Sequence, residues 1–489
     1  IEPAQPHTQF PRINMHSLHK TITNLINLLL FSSSFCAIYI LILLGTSLNQ
    51  QNVHSSLKNV QNVYESSTTT TTTTTLDHVV FGIASSGSSW PKRKDYVKLW
   101  WNREHNTTMR GCVFVETLPL SVVEEKDNGT SLPPLCVSED TSRFGYTYRG
   151  GMRSAIRVAR VVKETVALNY SHVKWYVFGD DDTLFFPRNL VKTLSKYDHG
   201  LWYYVGANSE SYKQNWFFGF GMGFGGAGFA ISSSLATVLA KVFDSCIERY
   251  PHVYGSDARV YSCITELGVG LTHEPGFHQV DLRGNAFGLL AAHPVTPLLS
   301  LHHPEKIDPI FPNMTTIKAL QHLFEAADVD SHRLLQQTVC YEKRFSWTIS
   351  VSWGYAVQVF HNHMSLPDVL KVQKTFKKWT GGTVLADLFS FNTREFHPDT
   401  CRRPTIFYLE NLLQSKDGTI ISSYQKSIQN CSSNVVPEVI RVATSKLVLD
   451  IKQLLTQRRH CCDVLPSNVS HLMEIAIREC AEDELIHMQ

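Results

Sequence analysis

The run Val173-Lys174-Trp175-Tyr176-Val177-Phe178-Gly179-Asp180-Asp181-Asp182 decides how the chain is read. Its aromatic and β-branched residues predict a buried strand. Gly179 breaks the run, and Thr183-Leu184-Phe185-Phe186-Pro187 follows. Three carboxylates therefore stand where a buried strand meets a loop, the place where α/β sheets hold their ligands. Like charges this close repel, so a bound cation or a hydrogen-bond network must offset the cost. The bland alternative is a solvated acidic turn, and the surrounding chain argues against it.

Upstream, His78-Val79-Val80-Phe81-Gly82-Ile83 predicts a first strand. Ala84-Ser85-Ser86-Gly87-Ser88-Ser89 follows as a small-residue loop that can admit a nucleotide. Residues 92–103 predict a helix with Tyr96, Leu99 and Trp100 on one face. Cys112-Val113-Phe114-Val115 predicts a second strand, and residues 143–166 carry an amphipathic helix with Ala155, Val158, Ala159, Val162 and Val166 on one side. Strands and helices thus alternate into the aspartate strand, which predicts an α/β layer with a mostly parallel sheet.

Downstream, residues 190–194 predict a short helix and residues 202–206 another strand. Residues 216–229 interleave Gly219, Gly221, Gly223, Gly225, Gly226 and Gly228 with Phe217, Phe218, Phe220 and Phe224. Glycine lets backbone approach a ligand closely, and aromatic faces suit the apolar face of a sugar ring. The alternative is a packed turn under the sheet. The stretch is no Walker loop, since no Gly-Lys-Ser/Thr follows. A helix after Ser232-Ser233-Ser234 would bury Leu235, Val238, Leu239, Val242, Phe243 and Cys246. Tyr254-Gly255-Ser256-Asp257 opens another helix with Asp257 in its first turn. There it serves either as a carboxylate that complements the helix dipole or as a general base. Leu298-Leu299-Ser300-Leu301-His302-His303 predicts a short strand ending in two histidines, one of which would complete a metal site with a carboxylate.

Taken in order, Asp180-Asp181-Asp182, Gly225-Gly226-Ala227-Gly228-Phe229, Ser256-Asp257 and His302-His303 resemble the fringe-type glycosyltransferases of glycosyltransferase family 31. The whole part beyond the stem resembles their plant fringe-like subgroup. The fringe-type resemblance covers residues 78–312. It implies a GT-A fold, a UDP-sugar donor, Mn²⁺, a glycan or glycoprotein acceptor, and inversion at the anomeric carbon with a β1,3 linkage. Carried over by position, Asp182 ligates the metal, with His302 or His303 as second ligand. Asp180 and Asp181 bind the nucleotide ribose and donor sugar, with Ser85, Gly225, Gly226 and Ala227 lining the donor. Asp257 takes the place of the catalytic base. The family's acidic pair is Ser256-Asp257 here, which keeps only the second carboxylate.

The chain has 489 residues, is 43% hydrophobic and 18% charged, and carries a formal net charge of +2. That suits a globular body of two or three domains and gives no field for nucleic acid. Ile1 opens the sequence, and Met15 is read as the natural start. No Asp, Glu, Lys or Arg lies between Lys20 and Lys58, and residues 25–44 are long enough to span a bilayer, which takes about 20. Arg12 and Lys20 put the N-terminus in the cytoplasm. The expected organisation is a cytoplasmic tail (1–20), a transmembrane signal anchor (21–47), a Thr-rich stem (48–76), a catalytic domain (77–312) and a β-rich accessory region (313–489). This describes a single-pass type II protein of the Golgi membrane. A signal peptide cleaved near Gly45-Thr46-Ser47 is the alternative, but the apolar stretch exceeds the usual h-region of about 7–15 residues.

Six N-x-S/T sequons, at Asn106, Asn128, Asn169, Asn313, Asn430 and Asn468, and 11 cysteines agree with the secretory pathway. The adjacent Cys461 and Cys462 are expected to pair separately, with Cys480 and Cys431 as candidate partners. In the C-terminal third, residues 317–326 predict a helix, 347–360 and 405–409 strands, and 473–486 a terminal helix. A catalytically silent glycan-binding or scaffold protein on the same fold is the second functional reading. A metal-dependent glycoside hydrolase is the third.

Overall fold

The computed structural model describes residues 74–101, 109–119, 132–382, 384–428, 437–467, 469 and 471–488. The expected tail, membrane anchor and nearly all of the stem lie outside them, as do the sequons at Asn106, Asn128, Asn430 and Asn468. Asn169 and Asn313 are described and exposed. Among the described residues no helix is long and apolar enough to cross a membrane.

Val79–Ala84 (β1), Arg110–Val115 (β2) and Leu135–Val137 (β3) pair in parallel, and the aspartate run forms Trp175–Asp180 (β4) beside β1. Leu184–Phe185 (β5) lies just beyond the triplet. Tyr204–Gly206 (β6), Phe229–Ser232 (β7) and Leu271–His273 (β8) complete a seven-stranded sheet of order β3-β2-β1-β4-β7-β6-β8. Only β7 runs antiparallel to its neighbours, so the expected mostly parallel sheet is present. Successive strand residues face opposite sides. Val80, Tyr176 and Phe178 therefore pack under the helices Ser154–Ala167, Ser233–Arg249 and Asp257–Glu266. Val79, Phe81, Ile83, Trp175 and Val177 face the other core. Burial on both faces explains why these strands read as unbroken apolar runs.

Phe277–His278 (β9), Leu282–Gly284 (β10) and Ser300–Leu301 (β11) follow. β11 pairs antiparallel with β5 and parallel with β9. The second core continues without a break into the C-terminal third, through Phe324, Ile349, Val351, Val357, Phe407 and Ile420. Phe186 stacks on Phe324 with ring centroids 4.8 Å apart. The C-terminal third forms an eight-stranded, mostly antiparallel sheet from Gln337–Glu342 to Leu472–Arg478, so the β-rich expectation holds.

Three local readings change. Residues 347–360 are two strands, Trp347–Ser352 and Ala356–Phe360, hinged at Gly354 with φ +76°. The helix placed at 143–166 begins only at Ser154. The expected terminal helix at 473–486 is instead the strand Leu472–Arg478, because Met473, Ile475 and Ile477 bury with period two between neighbouring strands. Cys461 and Cys462 point to opposite faces of the strand Cys461–Leu465 and so take separate partners. Cys461 bonds Cys480, one of the two candidate partners, and Cys462 bonds Cys340, which is not among them, while Cys431 lies outside the described residues. The Cys340–Cys462 bond joins the first strand of the eight-stranded sheet to the last in its order.

Candidate functional site

Parallel pairing of β1 with β4 puts Ala84 opposite Asp180. The serine loop and the Asp triplet consequently leave the sheet side by side, at the C-terminal ends of adjacent strands. Antiparallel pairing of β4 with β7 sets Phe178 opposite Phe229. That places the turn Gly225-Gly226-Ala227-Gly228, which leads into β7, against the same end of β4. Leu301 pairs with Leu184, so His302 arrives next to Asp182. Four segments distant in sequence meet because strand register allows no other arrangement.

Each carboxylate of the triplet has a different fate. Asp181 is buried and turned inward. Its Oδ2 accepts hydrogen bonds from Ser85 Oγ at 2.6 Å and from Ser89 Oγ, while its Oδ1 meets Arg93 at 3.0 Å. Asp182 is also buried, with Oδ1 3.2 Å from His302 Nε2 and Oδ2 3.3 Å from an Arg93 nitrogen. The Asp180 side chain keeps 39% of its surface open, with Oδ2 3.7 Å from His302 Nε2. Thr183 Oγ1 accepts from the Asp180 amide and donates to the Gly226 carbonyl, both at 2.8 Å, locking the aspartate turn to the glycine turn.

His302 and His303 are both brought to the site. Their rings lie 3.7 Å apart, and Trp379 stacks on His303 at 4.5 Å. His303 adopts φ +55°, a conformation uncommon outside glycine that marks strain at a site. Its Nδ1 stands 3.6 Å from Asp281 Oδ1. The ligand atoms of Asp182, His302 and His303 all lie within 4.8 Å of one another. One carboxylate and two imidazoles form a donor set suited to a divalent transition ion.

Electrostatics separates the two histidines. Burial opposes a charge on His302, but Asp182, Asp180 and Asp281 outweigh it and raise the imidazole well above its usual range. Asp182 shifts the other way: burial would raise it, while His302 and Arg93 hold it low. His303 is pushed down to about 3, by burial first and by His302 next, and so stays neutral. Burial and then repulsion from Asp182, Asp257 and Asp181 move Asp180 upward, partly countered by His302. With 39% of its side chain in water, solvent weakens both the burial penalty and the repulsion, so only the upward direction stands.

Asp257 opens its helix as expected and also holds the glycine turn. Its Oδ2 accepts the Gly225 amide at 3.0 Å and its Oδ1 accepts from Ser256 Oγ at 2.9 Å. A side chain at Gly225 would come within 2.5 Å of Asp257 Oδ1. The Ala227 amide donates to Gln279 Oε1 at 2.6 Å, and Gln279 also offers its carbonyl to His302 Nδ1 at 3.2 Å. Sequence reasoning missed Arg93, Gln279 and Asp281. Arg93 carried a signal, since it lies one helical turn past the serine loop. Gln279 and Asp281 carried none.

The family model described as "Protein of unknown function, DUF604" matches residues 214–462, just over half of the chain. The chain belongs to this family. The DUF604 segment contains the glycine turn, Asp257 and both histidines, and the Asp triplet precedes it. No curated protein matches the chain in sequence. Among solved structures, a galactosyltransferase LgtC in complex with donor and acceptor sugar analogs is 15% identical. It aligns over 50% of this chain and 94% of its own, with a TM-score of 0.32. Mouse xyloside xylosyltransferase 1, apo form, is 10% identical over 39% of this chain and 80% of its own, with a TM-score of 0.26. Likeness this slight defines no shared fold.

Proposed function

We propose that this protein is an inverting, metal-dependent glycosyltransferase. It would be held in the Golgi membrane by its N-terminal segment and would move a sugar from a UDP-sugar to a glycan hydroxyl. The observation that carries this reading is the Asp182–His302–His303 cluster at the strand ends, facing a glycine turn that Asp257 holds from the other side. Asp182, His302 and His303 fit a divalent ion by donor type and separation. Such an ion, when bound, would neutralise the diphosphate of the departing nucleotide.

The chain's own residues supply the rest. Asp180, with its half-open carboxylate, faces the donor. The glycine turn brings backbone close to the sugar. Asp257 accepts the proton from the acceptor hydroxyl as that oxygen attacks the anomeric carbon and the bond to the nucleotide breaks. A single displacement with a single base inverts the stereochemistry and needs no second carboxylate as nucleophile.

One observation favours a second reading. Arg93 pairs with both Asp181 and Asp182, so the acidic site is already neutralised within the chain. A catalytically silent glycan binder would keep such a site. The deciding experiment assays UDP release from a panel of UDP-sugars, with Mn²⁺ or with chelator, beside Asp182→Ala and Asp257→Ala. Mn²⁺-dependent turnover of one donor, lost in both variants, is the expected result. Absence of turnover across all donors, with acceptor glycans added, would overturn the transferase reading.

A further inference from the structure

Away from the Asp triplet, a groove of about 860 Å³ lies between the segment following β6 and the C-terminal stretch from Pro367 to Asn392. One wall carries Asn208, Tyr212 and Phe220, and the other carries Phe389, Phe391 and Asn392. We infer that this groove binds a neutral oligosaccharide as the acceptor. This deepens the transferase reading and rests on it.

The lining has the chemistry of sugar recognition. Phe220 is 52% exposed and packs 5.4 Å from Tyr212. Phe389 and Phe391 stack on the opposite wall at 5.7 Å. Rings on both walls offer faces to the apolar sides of pyranoses, and the amides of Asn208 and Asn392 offer donors and acceptors to hydroxyls. A mostly apolar lining with a few convergent polar groups, in a space of about 300–1,000 Å³, is the usual form of a small-ligand site.

Charge argues for a neutral occupant. Both oxygens of Glu210 are engaged, Oε1 with His278 Nδ1 at 3.0 Å and Oε2 with the Val280 amide at 2.7 Å. Lys371 is paired with Asp368 at 2.7 Å. These pairings disfavour a nucleotide diphosphate or an acidic glycan in the groove.

The groove is preformed, and its walls are bonded to the residues that hold the site. Ser390 donates its amide to the Glu210 carbonyl at 2.9 Å, and Asn215 Nδ2 donates to Ser390 Oγ at 2.7 Å, so the two walls are tied together. A ready-made site avoids ordering cost on binding. Ser209 Oγ donates to Asp281 Oδ2 at 2.6 Å, and the other oxygen of Asp281 faces His303. The Phe224 amide donates to the Ala207 carbonyl at 3.0 Å, one residue before the Gly225 that Asp257 holds. The wall is thus linked to the metal cluster on one side and to the proposed base on the other. It also gives the C-terminal region a task, that of forming the far side of the acceptor site.

The test presents the full chain, in chelator, to a printed array of neutral and uronic-acid oligosaccharides, beside Phe220→Ala and Asn392→Ala. Both substitutions are at exposed positions, and thermal melts confirm that the variants fold. Neutral oligosaccharides are expected to bind wild type and to bind each variant at least tenfold more weakly. The inference is overturned if no neutral oligosaccharide binds, if acidic ones bind better, or if both variants bind as wild type does. Chelator removes any metal-dependent donor step from the readout. Oligosaccharide binding without UDP-sugar turnover in the companion assay would therefore refute the transferase reading while leaving a glycan site in the groove.

Discussion

Gly226 lies directly against His302. A Cβ built on it would come within 2.1 Å of the imidazole Cε1 and 2.3 Å of Nδ1. Real side chains do not approach so closely, and His302 is wedged between this turn and Gln279, so the ring has to move. Gly226→Ala is expected to cost about 1–3 kcal/mol, as overpacking usually does, and to break the metal cluster. The measurement is the thermal melt with and without Mn²⁺. Wild type should gain stability from the ion, and the variant should not. An equal Mn²⁺ response in both would show that His302 holds no ion.

Arg93 bridges Asp181, Asp182 and Glu305 with its side chain only 26% exposed. Its removal leaves the buried Asp181 carboxylate with hydroxyl donors alone. Breaking such a pair is costly in full burial, about 3–5 kcal/mol. Partial exposure brings the expectation for Arg93→Ala to about 1–3 kcal/mol. The same substitution frees Asp182, so Mn²⁺ should bind more tightly while donor turnover falls. Calorimetric titration with Mn²⁺ checks the first part, and an unchanged or weaker affinity would refute it.

The Asp triplet, the glycine turn, Asp257 and the two histidines were all legible in the sequence, because each sits at a break between an apolar run and small or polar residues. What brings them together was not legible. The meeting of Asp182 with His302 depends on β5 pairing with β11 across more than a hundred residues. No local pattern encodes that register. The inward turn of Asp181 was hidden for the same reason, since its partners Ser85, Ser89 and Arg93 come from the far side of β1. In the C-terminal third, residues 473–486 read as helical on Ile475, Ile477, Cys480 and the acidic residues among them. Period-two burial against two strands decided the outcome instead.

Asp257 holds the glycine turn and is also the proposed base, and one substitution separates the two roles. Asp257→Asn keeps an oxygen for the Gly225 amide but gives up proton acceptance. It should fold with a melting temperature near that of wild type, and its sugar transfer should fall by about 10²–10⁴-fold. Asp257→Ala should lose both. Comparing the melts and turnover of the two variants provides the check. Full activity in Asp257→Asn would move the base elsewhere and leave Asp257 a structural residue.

Arg160 is fully buried between helices and meets Asp244 Oδ1 at 2.9 Å, Glu164 Oε1 at 3.2 Å and Glu139 Oε2 at 2.6 Å. Burial would raise the Asp244 carboxyl, but hydrogen bonds from Arg160 and Lys163 overcome it and hold it below its usual value. A carboxyl lowered in the folded state contributes stability above its unfolded value, about 3.9, and that contribution is lost as pH falls through the folded value. Glu164 works in the opposite sense. Burial raises it, so its contribution fades as pH rises. The difference between wild type and Asp244→Asn isolates the first effect. At pH 7 the variant should be about 1.5–3 kcal/mol less stable, the range for hydrogen bonds to a charged group. As pH falls through the lowered folded-state value of Asp244 the two should converge, since Asp244 is then protonated in wild type as well. Denaturant unfolding of both chains at pH 7 and in steps of increasing acidity reads this directly. A gap that keeps its size down to the most acidic pH at which both chains still fold would mean that packing of the side chain, and not its charge, holds these helices together.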